Sequence, residues 1–281
     1  MLSRWCASLP IEAHKTDKQG HTEMENLSPA DRGKKAAAVK ACEQVESDMR
    51  VGLGTGSTAA FMVRRLAERV DEEGLRLTCV ATSTRTAELA RSLGLTVQTL
   101  NDVRWLDLTI DGADEFDGEL NLIKGGGGAL LQEKIVATAS DRMVVITDPT
   151  KDVDRLGAFA LPVEVIPFGW QTTRALISEL LLSMDVSGRE ISVRQDGNQP
   201  FVTDEGNMIL DLHLQRIGNV RQMGLVLNQI PGVVENGLFT DICSEVIIGH
   251  EDGTTEVRTF DGPRESAMPS LSENLFASIV E

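Results

Sequence analysis

The chain has 281 residues, 41% of them hydrophobic and only 4% aromatic, with a formal net charge of -16. That length supports a real core and about two domains at roughly 150 residues each. The acidic balance argues against nonspecific binding to nucleic acid or anionic membranes, both of which need basic surface. No apolar run approaches the roughly 20 residues that cross a bilayer. Cys6, Cys42, Cys79 and Cys243 are far apart, with no CxxC pair and no metal-ligand spacing. They read as reduced thiols of a cytoplasmic protein, Cys79 as a small core residue. His14, His21, His213 and His250 fall in a tail, a strand pattern and a late loop. A general base is therefore expected to be a carboxylate.

Residues 1–29 read as a disordered extension. MLSRWCASLP hints at a targeting segment, but Glu12, Asp17, Glu23 and Glu25 follow at once, and presequences are poor in acids. Alanines and lysines favour a helix over 34–46. Val51 and Leu53 alternate in a short strand over 50–54 that runs into glycines. Met62, Leu66 and Val70 recur every four residues and mark one face of a helix over 58–70. A strand over 75–81 and a helix over 86–93, closed by Gly94, come next. Strands are expected over 95–100 and 106–110, then a glycine run, a helix over 130–139 and a strand over 143–147. This alternation predicts parallel βαβ units in an open, doubly wound Rossmann-like sheet over 30–157.

Beyond Lys151 the pattern changes. A strand over 161–166 precedes a helix over 172–184, with Leu176, Leu180 and Met184 along one side. Strands over 190–194 and 208–214 flank the turn-rich QDGNQP and TDEGN, and a helix over 220–230 stops at Pro231-Gly232. The order β-α-β-β-α-β predicts a smaller ferredoxin-like α+β domain over 158–237. Residues 238–250, with a strand over 245–249, are expected to rejoin the first sheet. The stretch 251–281 is acidic and weakly periodic and reads as a loose tail.

Three segments have the composition of a site. In VGLGTGSTAAF, 51–61, a strand delivers glycines into a helix N-terminus, which offers backbone N–H groups and a dipole to an anion. The spacing is GxGxG, with Ser57 in the third glycine's place, which weakens a dinucleotide reading, and no GxxxxGK[ST] is present. A purely structural turn explains it equally well. In LDLTIDGADEFDGELNLIKGGGGALLQEK, 106–134, Asp111, Asp114 and Glu115 follow an apolar strand, at the edge where open α/β sheets place ligands. Lys124 precedes four consecutive glycines, and Glu133 stands near the start of the next helix. Four glycines cost backbone entropy unless something needs their freedom, which counts against a merely solvated loop. In the third segment, Asp148-Pro149-Thr150-Lys151 follows the last strong strand; a surface turn explains that one nearly as well.

Taken in order, GLGTGST from Gly52, DGADE from Asp111, KGGGGALLQEK from Lys124 and DPTKDVDRLGAFALPVEVIPF from Asp148 resemble the A-type ribose-5-phosphate isomerases. The later VTDEGNMILDL and IPGVVENGLF resemble that family too, and the likeness covers roughly three quarters of the chain. It implies an aldose–ketose isomerase of the non-oxidative pentose phosphate pathway, working on D-ribose 5-phosphate and D-ribulose 5-phosphate through an enediolate. No metal and no cofactor are implied, and the chain is expected to form a homodimer or a pair of dimers.

By the same resemblance, Thr55, Gly56, Ser57 and Thr58 line the sugar-phosphate cleft. Asp111, Gly112, Ala113 and Asp114 form its acidic binding stretch, and Lys124, Gly125, Gly126 and Gly127 its lysine–glycine stretch. Glu133 aligns with the catalytic base and Lys151 with a further substrate-binding lysine. Lys124 would stabilise the oxyanion, while Asp111 and Asp114 hold hydroxyls, one of them assisting ring opening. The chain departs from many members at Gln132, where they carry Arg, and from some at Thr150, where they carry Ser. Two rivals stand beside this reading: a non-catalytic sugar-phosphate sensor, and a nucleotide-dependent oxidoreductase, against which the missing third glycine counts.

Overall fold

The computed structural model describes residues 27–260. The expectations for the N-terminal extension and for 261–281 lie almost wholly outside those residues. Helix α1, Pro29–Cys42, starts where the Ser28 hydroxyl accepts from the Asp31 N–H and proline occupies the first turn. Strand β1, Arg50–Leu53, leads into α2, Ser57–Glu73, which ends on the left-handed Gly74. Next come β2, Thr78–Ala81, and α3, Thr84–Ser92, capped by Ser83, then the single turn α4, Leu100–Val103. Strand β3, Leu108–Asp111, is followed by the short β4, Glu115–Phe116, and β5, Leu122–Ile123. Helix α5, Leu130–Thr138, precedes β6, Met143–Thr147.

The second half runs β7, Leu161–Val165; α6, Trp170–Leu181; β8, Glu190–Val193; and the small hairpin β9, Gln195–Asp196, with β10, Gln199–Pro200. It continues with β11, Met208–His213; α7, Val220–Leu227; β12, Val233–Asn236; and β13, Leu238–Phe239. Strand β14, Cys243–Gly249, and β15, Thr255–Thr259, complete it.

The largest sheet has the order β15-β14-β6-β3-β1-β2, parallel except for β15. Its central strands β3 and β6 are buried at every position, because both faces of a parallel sheet are covered. Ala37, Leu53, Met62, Leu66, Ile110 and Ile146 form the core on one side. A four-stranded antiparallel sheet, β12-β7-β11-β8, carries α6 and α7 and buries Leu161, Val163, Ile177, Leu210 and Met223. Its last strand lies beside its first, which is the ferredoxin-like order. A third sheet, β13-β5-β4, packs its Phe116, Leu122 and Phe239 against Val145 and Val246 of the largest one.

Two expectations need correction. The strand expected over 95–100 shrinks to a single bridge between Val97 and Cys79. The Thr99 hydroxyl captures the Asp102 N–H and turns the chain into α4 instead. The loose tail expected from 251 is also wrong at its start. Thr255, Val257 and Thr259, β-branched at alternate positions, belong to β15 and pair with β14. Of the segment 238–250, β13 joins the third sheet, and β14 enters the largest one parallel to β6.

Candidate active site

Strands β1 and β3 are neighbours, so the chain leaving each arrives at one carboxyl edge. Asp111, the last residue of β3, is fully buried. Its Oδ1 accepts from the Thr55 N–H at 3.0 Å and the Gly112 N–H at 2.7 Å. Close packing of the strands allows no side chain at Gly54, where a Cβ would lie 2.1 Å from Asp111 Oδ1 and 2.5 Å from its Cα.

The small third sheet aims Lys124. β5 ends one residue before it, and its own N–H donates to the Gly237 carbonyl at 2.9 Å. The ammonium donates to the Gly112 carbonyl at 2.6 Å and stands 2.9 Å from Asp111 Oδ2 and 3.4 Å from Glu133 Oε1. The Phe239 ring lies beneath it, 5.5 Å to the centroid. Burial opposes a charge there, but Asp111 and Glu133 hold the ammonium above the usual lysine range.

Glu133 sits in the first turn of α5, buried, where the helix dipole favours a carboxylate. Burial pushes its pKa up to about 8; Lys124 pulls it down, while Asp111 and Asp114 add to the rise. Asp114 is partly exposed, and its Oδ2 accepts from the Gly126 N–H at 2.7 Å. Burial raises its carboxyl, against the Gly126 N–H and the charges of Lys124, Lys151 and Arg194. A Cβ on Gly126 would meet Asp114 Oδ1 at 2.4 Å, so this glycine is needed for close approach.

The structure thus gathers Asp111, Asp114, Lys124 and Glu133 into one cluster, with Gly112 contributing a carbonyl and Lys151, in the 3₁₀ turn after β6, a nearby charge. Gly125 and Ala113 are the backbone on either side, and Gly127 is exposed next to Thr55. Gly56 is the N-cap of α2, with no side-chain cap, followed by an exposed Ser57 and a half-buried Thr58. The N–H groups of that first turn suit an anion. The Thr55 hydroxyl is turned elsewhere, to Thr82 and Ser83, both at 2.8 Å, and to Thr86 at 3.3 Å. Gln132 donates to Glu205, in the turn before β11.

Sequence reasoning missed Phe239 and the hydroxyl cluster of Thr82, Ser83 and Thr86. TSTRT, five polar residues directly after β2, was the available signal for the latter. A cavity of about 350 Å³ opens between α3 and α5, lined by Ser83, Arg91, Gln98, Gln132 and Val136. It neighbours the carboxylate cluster without containing any member of it.

Fold and cluster together define an α/β protein of two principal sheets, with a buried acid–base constellation at the carboxyl edge of the parallel one. The family model described as ribose 5-phosphate isomerase A (phosphoriboisomerase A) matches residues 78–253. The ribose-5-phosphate isomerase A of Jannaschia sp. (strain CCS1) is 66% identical over 91% of this chain and 98% of its own. That of Dinoroseobacter shibae is 70% identical over 83% of this chain and 89% of its own. Among solved structures, ribose 5-phosphate isomerase A from Methanocaldococcus jannaschii superposes with a TM-score of 0.75 at 38% identity, covering 82% of this chain and 99% of that one. A D-ribose-5-phosphate isomerase in complex with phospho-erythronic acid gives 0.76 at 37% identity, with the same coverage. The chain belongs to the ribose 5-phosphate isomerase A family.

Proposed function

We propose that the chain interconverts D-ribose 5-phosphate and D-ribulose 5-phosphate by proton transfer through an enediolate, with Glu133 as the base. The observation that carries this is a buried lysine held between two buried carboxylates, Asp111 and Glu133. Isomerisation of the open-chain aldose needs a base at C2 and a positive group at the carbonyl oxygen. Glu133 takes the C2 proton, and the electron pair moves to O1 to give the enediolate. The proton on O2 passes to O1, Glu133 returns its own proton to C1, and O2 becomes the ketone. Lys124 faces the negative charge as it develops. Asp111 and Asp114 hold the sugar hydroxyls, and one of them assists opening of the furanose ring.

Lys151 and the first turn of α2, from Gly56 to Thr58, receive the phosphate end. Thr55 contributes by holding Asp111 through its N–H, its hydroxyl being engaged with Thr82 and Ser83. A relative holds phospho-erythronic acid, whose carboxylate has the planar pair of oxygens that an enediolate presents. A carboxyl titrating near neutrality suits a group that must both accept and return a proton.

Incubation with ribose 5-phosphate and detection of ribulose 5-phosphate tests this reading; binding without turnover would favour the sensor instead. The resemblance also supports a cytoplasmic homo-oligomer, dimeric or tetrameric. Phe168 before α6, Leu182 at its end and Leu225 in α7 are exposed apolar side chains of the kind that self-association would cover. Sedimentation equilibrium of the intact chain decides that point.

A further inference from the structure

Arg194 follows β8 in the second sheet, yet its guanidinium reaches the glycine turn between β5 of the third sheet and α5. Its side chain is 14% exposed. Nε donates to Asp211 Oδ2 at 3.0 Å, and Nη2 donates to Asp211 Oδ1, a fork that fixes the plane of the group. Nη1 then donates to the Gly125 carbonyl at 2.6 Å and the Gly126 carbonyl at 3.1 Å. Gly126 is also the residue whose N–H meets Asp114 Oδ2 at 2.7 Å. A relay therefore runs from Asp211 on β11, through Arg194 and the peptide groups of the glycine turn, to the carboxylate of Asp114.

We propose that Arg194 is a positioning residue for the isomerisation, holding the glycine turn so that the Gly126 N–H presents and orients Asp114 to the sugar. This rests on the reading of Asp114 as a substrate-binding group. An ordinary surface ion pair would not need two backbone carbonyls as well. Lysine cannot replace this arginine, because one ammonium cannot grip both Asp211 oxygens and two carbonyls in one plane. Glu133 and Lys124 adjoin Asp114 from the other side, and Lys151 adds a further positive charge. Loss of Arg194 therefore removes one cation of three from the carboxylate's surroundings and loosens its N–H donor.

The test is steady-state kinetics against pH for R194M, R194K, D211N, D114N and the double variant R194M/D211N, each checked for cooperative thermal unfolding. R194M is expected to lower kcat/KM by about tenfold or more, mostly through KM, and to move the acid limb of the pH profile upward. D211N should shift both in the same direction but less, and the double variant should be no worse than R194M, since both changes cut one relay. If R194M does not fold, R194K carries the same expectation. Wild-type kcat/KM and pH profile in a folded Arg194 variant, beside an impaired D114N, would overturn the positioning role alone. Additive losses in the double variant would overturn it as well. Wild-type turnover in D114N would instead remove the reading on which the inference stands.

Discussion

Glu133 Oε1 lies 3.4 Å from Lys124 Nζ, while Glu133 Oε2 is buried with no hydrogen-bond partner among the described residues. One oxygen of the carboxylate is anchored and the other is bare. An acid so placed has a fixed orientation and an unused lone pair, which is what a proton carrier requires. A bare buried oxygen is costly unless a ligand answers it.

Replacing Glu133 with glutamine keeps the shape and removes the proton-accepting charge. Turnover is expected to fall by about 100-fold or more with little change in KM, as followed by ribulose 5-phosphate formation. Near-normal turnover in a folded E133Q enzyme would take Glu133 out of the role.

Lys124 answers two buried carboxylates at once. K124M keeps most of the volume but leaves Asp111 and Glu133 uncompensated. Breaking a buried pair this way costs about 3–5 kcal/mol, so urea unfolding should show a large loss of stability. KM should rise and kcat fall together; an unchanged KM would confine Lys124 to the chemical step. With this lysine proposed as the positive charge at the oxyanion, dialysis against EDTA should leave turnover intact, and a loss restored by a divalent ion would contradict the assignment.

Burial pushes Glu133 up to about 8, and only its ionised form can accept the C2 proton. kcat/KM is therefore expected to climb with pH through that value. The stability effect has the opposite sign. Between the ordinary glutamate value of 4.5 and about 8, the folded chain retains a proton that the unfolded chain has lost. Stability then falls as pH rises through that window, and E133Q should gain on the wild type from pH 4.5 up to about 8 in parallel thermal melts. A constant difference would mean that Glu133 titrates normally.

Two glycine substitutions should separate folding from binding. At Gly54 a methyl group would meet the Asp111 Cα at 2.5 Å, a backbone atom that cannot rotate away, so G54A should melt at markedly lower temperature. At Gly126 the methyl would meet the Asp114 carboxylate, nearest at 2.4 Å, which can swing aside at the loss of its N–H partner. G126A should keep its melting temperature and raise KM several-fold. Equal effects on both measures in both variants would count against the division.

Much of this was legible in the sequence because local signals agreed. Met143–Thr147 is a strand with the expected limits, buried at every position because both faces are covered. The two aspartates, the lysine and the glutamate could be picked out because acids and glycines at a strand's end have no packing use. The third sheet stayed hidden: Glu115–Phe116, Leu122–Ile123 and Leu238–Phe239 are two residues each, too short for any period to show. Lys124 owes its aim to that sheet. Thr55 shows the limit for side-chain direction, since nothing in GLGTGST tells that its hydroxyl turns toward Thr82. Arg194 escaped notice for a related reason, its partners being far away in the chain.

The six-stranded sheet is left at β6 and re-entered at β14, its immediate neighbour. Everything from Asp148 to Ile242 is thus one long excursion, tied back by β14 against β6 and by β13 against β5. Such distant pairings are slow to form, because the entropy of bringing the ends together is lost before any contact compensates for it. The half built from β1, β2, β3 and β6 draws on nearer segments and is expected to assemble first. Helix α1 packs on α2 and β6 of that half, yet its fit is complete only when β14 arrives, since Gly33 lies against Gly249 with no room for a side chain between them. During synthesis α1 therefore gains the last of its neighbours only once β14 has emerged.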